Sequence, residues 1–174
     1  MKKEMTYGVP VLIILFLLSA TCFSQSEYTE TQLKETAKKV IGNSLSCTLI
    51  TVDEEGAPRA RAMDGFPVED DFTIWFGTKA NTRKVDQIKN DPRVTLYYLS
   101  SDNSGYVVIS GKAELIEEAE MKKKYWKKEW EQFYSDKDKD YLLIKVTPIW
   151  MEVLSPPHGI NNDPITWKPP VVEF

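Results

Sequence analysis

Short β-strand patterns separated by short polar turns recur along this chain, and they restrict its fold more than any other feature of the sequence. The apolar or alternating runs that predict strands are Cys47–Val52, Arg59–Met63, Phe72–Phe76, Val94–Leu99, Gly105–Ile116, Tyr141–Val146 and Ile149–Leu154. Helical patterns do not alternate with these runs, which argues against a parallel sheet built from βαβ units. We therefore expect a mainly β protein, a small and mostly antiparallel β-barrel with peripheral helices.

Two segments outside the strands have the apolar spacing of helices. Thr31–Ile41 is the first, and it ends at Gly42-Asn43, where a left-handed cap forms easily. Glu117–Phe133 is the second, with a stripe at helical spacing that consists of Ala119, Trp126, Trp130 and Phe133. We interpret this stripe as packing against the sheet, with a cofactor-binding face as the alternative.

Three single residues carry local predictions. Gly111 predicts a bulge or a bend within its strand, and Pro148 predicts a break between the last two strands. Cys47 lies in a strand-like run, so we expect a buried and unreactive thiol.

The charge balance argues against several classes of function. The chain has 174 residues and a net charge of −4, with Lys and Arg interleaved among Asp and Glu, so neither nucleic acid nor an anionic membrane surface is expected as the main partner. His158 is the single histidine and stands in the proline-rich tail. No histidine-based metal cluster and no Ser-His-Asp arrangement is therefore expected.

The first 25 residues have the order of a secretory signal peptide. Lys2 and Lys3 give a positive start, Val9–Leu18 is apolar, and small or polar residues follow. The apolar run is shorter than the about 20 residues that a transmembrane helix needs. We therefore expect export from a bacterial cytoplasm, to the periplasm or the medium. An uncleaved membrane anchor and lipid attachment at Cys22 are the alternatives, and we expect membrane contact only through this segment.

The remaining chain is expected to form one barrel domain over residues 26–156, followed by a tail over 157–174. The tail is rich in proline, so we expect it to lack regular structure and either to wrap over a neighbour or to stay loose.

The stretch Phe72–Val94 is the main candidate for a binding site. It is predicted as a strand, a polar turn over Gly77–Asn81 and a short helix with Arg83 and Lys84 in its first turn. Free N–H groups at a helix N-terminus attract phosphate, and two cations would add charge-assisted hydrogen bonds. The hypothesis is a site for a phosphorylated small molecule. The alternative is a solvated basic pair at a helix start.

Four ordered segments resemble the pyridoxamine 5'-phosphate oxidase-like flavoproteins, and their general stress protein branch most of all: Leu49–Met63, Thr73–Thr78, Thr82–Leu96 and Tyr106–Leu115. The likeness covers about Leu33–Pro156. Members of this family are split barrels, usually homodimers, that bind FMN at the subunit interface. The resemblance therefore implies an FMN-binding split barrel and a homodimer.

The resemblance also assigns site residues by position. It implies that the isoalloxazine and phosphate side of an FMN site is lined by Arg61, Ala62 and Met63. It implies that the phosphate and the ribityl chain are held by Thr78, Thr82, Arg83 and Lys84. The predicted phosphate site and the implied FMN site thus coincide. No catalytic residue is assigned.

The chain departs from the true pyridoxamine 5'-phosphate oxidases, which grip their substrate with arginine and histidine near the C-terminus. No arginine follows Arg93 here, and Gly77 stands where those oxidases tend to place an aromatic, which would leave the flavin edge less covered. The resemblance thus implies an FMN-dependent oxidoreductase with another, unknown substrate. A non-catalytic flavin-binding or stress-related module is the main alternative, and a haem or deazaflavin binder is a further one.

Overall fold

The computed structural model describes residues 28–174, which form one curled antiparallel sheet of seven strands with short helices around it. The strands are β1 (Cys47–Val52), β2 (Pro58–Met63), β3 (Ile74–Lys79), β4 (Arg93–Leu99), β5 (Tyr106–Ile116), β6 (Tyr141–Leu154) and β7 (Val171–Glu173). The α-helices are α1 (Glu30–Asn43), α2 (Arg83–Asn90), α3 (Ala119–Lys124) and α4 (Lys137–Asp140), and Lys128–Gln132 and Pro156–His158 form 3₁₀ turns. The prediction of a mainly β fold is confirmed.

The predicted signal peptide, residues 1–25, lies outside the described residues. Within residues 28–174, none of the helices has the length and apolar character needed to span a bilayer.

The sheet curls into a barrel that closes at one end only. Its strand order is β2-β1-β4-β5-β6-β3, with β7 added to the free side of β6, so β2 and β3 are its two edges. The edges meet just after β2, where Gly65 bridges to Phe76 and the Phe66 amide donates to the Trp75 carbonyl at 2.9 Å. A Cβ on Gly65 would lie 2.9 Å from the Phe76 ring, so this close approach requires glycine.

The core lies on the concave side of the sheet, where alternate residues of each strand point inward. Leu49, Leu96, Ile109 and Met151 are fully buried there, and α1 covers them with an apolar stripe that includes Leu33 and Ala37. The thiol of Cys47 is also buried, and burial raises its pKa to about 12, which agrees with the expected unreactive cysteine.

Several strand boundaries differ from the prediction. Phe72 belongs to a tight turn with φ of 63°, and β3 begins at Ile74 and continues to Lys79, through part of the predicted polar turn. Pro148 does not divide the last two predicted strands, because β6 runs continuously past it. The strand instead bulges at Ile149, since Gly111 pairs with Pro148 while Ser110 pairs with Trp150. The pairing is therefore irregular at Gly111 as predicted, but the extra residue lies on β6 and not in the strand of Gly111.

The helix predictions were partly wrong. α1 continues through Gly42 to Asn43 and ends at Ser44 in an extended conformation, so no left-handed cap forms. The predicted helix Glu117–Phe133 is broken into α3 and the 3₁₀ turn Lys128–Gln132. The hydroxyl of Tyr141 donates to the main-chain carbonyl of Tyr125 at the break, and this tertiary contact takes an acceptor that a longer helix would use.

The tail was expected to lack regular structure, and this was also wrong. Ile160 is buried, and the chain then returns to pair Val171–Glu173 with the C-terminal half of β6. Val172 joins the core, and the Phe174 ring packs against Phe72. The tail thus covers part of the barrel.

Gly111→Ala tests the contact between β5 and the bulge of β6. A Cβ at this position would clash with the backbone carbonyl oxygen of Thr147, so we expect the free energy of unfolding to fall by about 1–3 kcal/mol. Gly42→Ala is the control, because no atom lies within 4 Å of its added Cβ and alanine favours helix by up to about 1 kcal/mol. Urea unfolding followed by circular dichroism measures both variants. Equal stability of the two would contradict the close approach at Gly111.

Candidate functional site

A groove of about 290 Å³ opens where the two edge strands diverge beyond the Gly65–Phe76 bridge. It is lined on the β2 side by Ala62, Met63 and Asp64, on the β3 side by Gly77, Thr78 and Lys79, from α2 by Thr82 and Lys84, and from the segment after α3 by Trp130, Phe133 and Tyr134. The groove therefore exists because the barrel closes only partly.

A cation and two hydroxyls form one end of the groove. The half-buried Lys84 ammonium donates to Thr78 Oγ1 at 3.1 Å and to Thr82 Oγ1 at 3.5 Å. Burial, followed by repulsion from Arg61, lowers the pKa of Lys84 below its ordinary value. An anion bound at this position would stabilise the charged form of Lys84.

The N-terminus of α2 opens onto the same end. Thr82 occupies the N-cap position but makes no side-chain capping bond, because its hydroxyl donates to the Lys79 carbonyl at 3.1 Å. The Thr82 carbonyl accepts from the Val85 amide at 2.9 Å, but the Thr82 side chain leaves the first N–H groups of the helix without a cap. An anion held by Lys84 would lie close to this end.

Two arginines extend the positive region behind the groove. Arg61 projects from β2 to the concave side of the sheet, and burial and the charge of Arg83 lower its pKa. Arg83 is exposed and lines a neighbouring cleft of about 350 Å³ together with Gln87 and Asp86. The structure therefore places Arg61 beside both Arg83 and Lys84.

These three cations have no carboxylate partner. In the part of the chain that the structure describes, none of Arg61, Arg83 and Lys84 forms a salt bridge, although eight salt bridges occur among other residues. Asp64 is the one carboxylate that lines the groove among residues 28–174, and it is already paired with Lys127 at 2.7 Å. No carboxylate among the described residues therefore pairs directly with these three cations, although Asp86 and the acidic residues 53–55 of the β1–β2 turn line the cleft beside Arg83.

Aromatic side chains form the opposite wall of the groove. Trp130 packs directly over Gly77, where any Cβ would clash with its ring and would lie 2.8 Å from the Tyr141 ring. Phe133 is 56% exposed and lies on the same wall. The space above Gly77 is thus filled by an aromatic side chain from elsewhere in the chain.

The structure brings most of the predicted site residues together. Five of the seven predicted residues line the groove together: Ala62, Met63, Thr78, Thr82 and Lys84. Arg61 lies behind it and Arg83 lies in the adjoining cleft. The aromatic stripe that contains Trp130 packs against the sheet as interpreted, at Gly77 and Tyr141, and Trp130 and Phe133 also line the groove, which is the face that the alternative interpretation named. Gly77, a glycine between bulky residues of a strand, was the one signal of a close approach.

A model of the family described as pyridoxamine 5'-phosphate oxidase like matches residues 32–156, which include every strand of the sheet except β7. The chain belongs to the pyridoxamine 5'-phosphate oxidase-like family. General stress protein 26 of Bacillus subtilis (strain 168) is 31% identical over 115 residues, which cover 64% of this chain and 80% of that protein. The resemblance to the general stress protein branch is thereby confirmed.

Solved structures share the fold. The crystal structure of General Stress Protein 26 from Bacillus anthracis str. Sterne has 22% identity and a TM-score of 0.65, and the match covers 82% of this chain and 99% of that one. A protein from Clostridium acetobutylicum described as related to general stress protein 26 has 19% identity and a TM-score of 0.67, covering 84% and 97% of the two chains. The curled sheet is thus the split barrel of this family.

Trp130→Ala tests whether the aromatic wall supports the barrel edge. Removing this half-buried ring from the backbone of Gly77 should lower the free energy of unfolding by about 2 kcal/mol. Trp167→Ala is the control, because Trp167 is 76% exposed and its loss should change stability by less than about 0.5 kcal/mol. Thermal melting measures both, and similar losses in the two variants would contradict this packing.

Proposed function

We propose that the protein binds FMN in the groove and acts as a flavin-dependent oxidoreductase of the general stress type. One observation carries the proposal: a single groove has Lys84 and two threonine hydroxyls at one end and an aromatic wall at the other, and Arg61 and Arg83 lie close to that lysine. A ligand that suits both ends has a phosphate and a flat ring. Members of this family commonly bind flavin, which supports FMN as that ligand.

The positive end fits a phosphate monoester. Such a group carries nearly two negative charges at neutral pH and three acceptor oxygens. Lys84, Arg83 and Arg61 would supply the charge, and the hydroxyls of Thr78 and Thr82 would supply neutral donors. Each charge-assisted hydrogen bond contributes about 1.5–3 kcal/mol when it is sheltered from water. Deazaflavin or haem remains an alternative ligand, but His158 is not among the residues that line the groove.

The other end fits an aromatic ring system. Trp130, Phe133 and Tyr134 offer ring faces and edges, and Met63 offers a polarizable thioether across from them. Ala62 is small enough to let a flat group approach the β2 backbone. These residues would hold and orient the isoalloxazine, and bound flavin would supply the capacity to accept or donate hydride.

A non-catalytic flavin-binding or stress-related module is the second candidate function. It is favoured by the lack of a histidine and of an unpaired carboxylate among the described residues that line the groove, since Asp64 is paired with Lys127. True pyridoxamine oxidation is disfavoured by the same lining, because no arginine or histidine of the tail reaches the groove.

The convex side of the sheet is the surface that we propose for a second copy of the chain. A row of outward residues crosses four neighbouring strands in register, from Ala62 through Thr48 and Tyr97 to Val108. These side chains are half-exposed or exposed, and they are small or largely apolar. Ala62 also lines the groove, so a partner subunit on this face would border the FMN site. A homodimer is therefore the assembly that fits the proposed function.

FMN binding should depend on the cation cluster. We expect the purified protein to bind oxidised FMN, and Arg83→Ala combined with Lys84→Ala to weaken that binding at least tenfold, about 1.4 kcal/mol. Lys89→Ala combined with Arg93→Ala is the control, because it removes one lysine and one arginine that line neither the groove nor the cleft of Arg83. Flavin fluorescence titration measures the affinities. A colourless protein whose spectrum does not change on titration with FMN would rule out the proposal.

The two candidate functions are separated by reduction. The FMN-loaded protein is mixed with NADH or NADPH without oxygen, and flavin absorbance is followed. Bleaching faster than that of free FMN supports an oxidoreductase, whereas an unchanged rate supports a binding module.

The full chain has a mass of 20.0 kDa, and we expect light scattering at micromolar concentration to give about twice that value. Val108→Lys should yield a monomer, because it places a charge in the apolar face while Glu152 on β6 can pair with it in the single chain. Thr31→Lys adds the same charge on α1 and should remain a dimer. A wild-type monomer would contradict the proposed assembly.

A further inference from the structure

Arg61 is held by an unusual set of hydrogen-bond acceptors. Its Nη1 donates to Thr51 Oγ1 at 2.7 Å and to the Leu49 carbonyl at 3.3 Å, and its Nη2 donates to Gln87 Oε1 at 2.9 Å. All of these acceptors are neutral. A guanidinium that is partly removed from water more often pairs with a carboxylate, since an unpaired buried charge is costly.

Gln87 and Thr51 form a rigid support for this arginine. Thr51 is fully buried and its hydroxyl donates to Gln87 Oε1 at 2.6 Å, so the same amide oxygen accepts from both Thr51 and Arg61. Gln87 is 9% exposed and lies one turn after Arg83 on α2. The network therefore ties the direction of the Arg61 side chain on β2 to the helix that carries Arg83 and Lys84.

The neutrality of this support has an electrostatic consequence. Burial and the neighbouring Arg83 lower the pKa of Arg61, and burial and Arg61 lower the pKa of Lys84. Each cation therefore makes the charged form of its neighbour less favourable. A glutamate at position 87 would be nearly the same size and would relieve this repulsion. The glutamine therefore retains the geometry of a salt bridge without its negative charge.

We propose that Gln87, together with Thr51, is a positioning residue that fixes Arg61 toward the ligand phosphate while leaving its charge uncompensated. The neutral support makes the cluster selective for a dianionic phosphate monoester over an uncharged ligand with the same ring. This inference rests on the proposed FMN site, because it assigns the source of phosphate recognition within that site.

The test compares FMN with riboflavin, which shares the ring but lacks the phosphate. We expect the wild-type protein to prefer FMN at least tenfold, and Gln87→Glu to reduce this preference at least tenfold, about 1.4 kcal/mol. Riboflavin affinity should stay within about twofold and the melting temperature should not fall, which a merely structural role of Gln87 would not predict. Asn90→Asp is the matched control, because it adds one negative charge to the same helix without contacting Arg61.

A second variant separates the orientation of Arg61 from the charge at position 87. Gln87→Met keeps the side chain neutral but removes the acceptor, so FMN affinity should fall less than in Gln87→Glu while riboflavin affinity is retained. Melting of all variants in potassium phosphate and in potassium chloride at equal ionic strength tests the cluster without any flavin. Phosphate should raise the melting temperature of the wild type and of Asn90→Asp, but not of Gln87→Glu.

The outcomes distinguish the two proposals. A wild-type protein that binds neither flavin would refute the proposed function, and the phosphate melts would then decide the inference by themselves. A wild-type protein that prefers FMN, with the preference intact in Gln87→Glu, would overturn the role of Gln87 and leave the proposed function standing. Equal loss of preference in Asn90→Asp would also overturn it, because added charge alone would then explain the effect.

Discussion

The incomplete closure of the β-barrel is the constraint on which the rest of the structure depends. The two edge strands are joined through Gly65 and Phe76 and then separate, so the backbone of each edge beyond this point faces a groove. Unpaired strand edges need to be covered, and here α2 and the segment that carries Trp130 do so from two sides. The cations and the aromatic rings therefore meet because both cover the same opening.

Stability and binding place opposite demands on this opening. The core and the aromatic wall bury apolar surface and stabilise the fold. The cluster of Arg61, Arg83 and Lys84 lowers the stability of the fold, because like charges are held close together in a partly buried place. Such strain persists where the surrounding structure fixes it, and it is typical of binding sites. The neutral contacts of Arg61 show how the chain holds the cluster in place without cancelling its charge.

Local sequence signals predicted the parts of the structure that local interactions determine. β1 has the predicted bounds Cys47–Val52, and α2 begins at Arg83 as expected, because apolar alternation and a polar turn specify both. The spacing of Trp126, Trp130 and Phe133 matched a helix equally well, yet the chain breaks there because the Tyr125 carbonyl bonds to Tyr141 and the Tyr125 hydroxyl bonds to Glu69. These partners are distant in sequence, so periodicity could not reveal them. The position of Trp130 over Gly77 was hidden for the same reason.

The short last strand has a consequence for the protein outside its binding site. β6 pairs with two strands on the same side, with β3 along Tyr141–Val146 and with β7 along Trp150–Glu152. Without β7, the second half of β6 would present free N–H and C=O groups beside the exposed Ile149, which is the kind of surface on which chains associate into aggregates. The proline-flanked tail therefore pairs these backbone groups and replaces the long free edge of β6 with that of β7, a strand of only three residues, and such short edge strands offer little backbone for another chain to pair with.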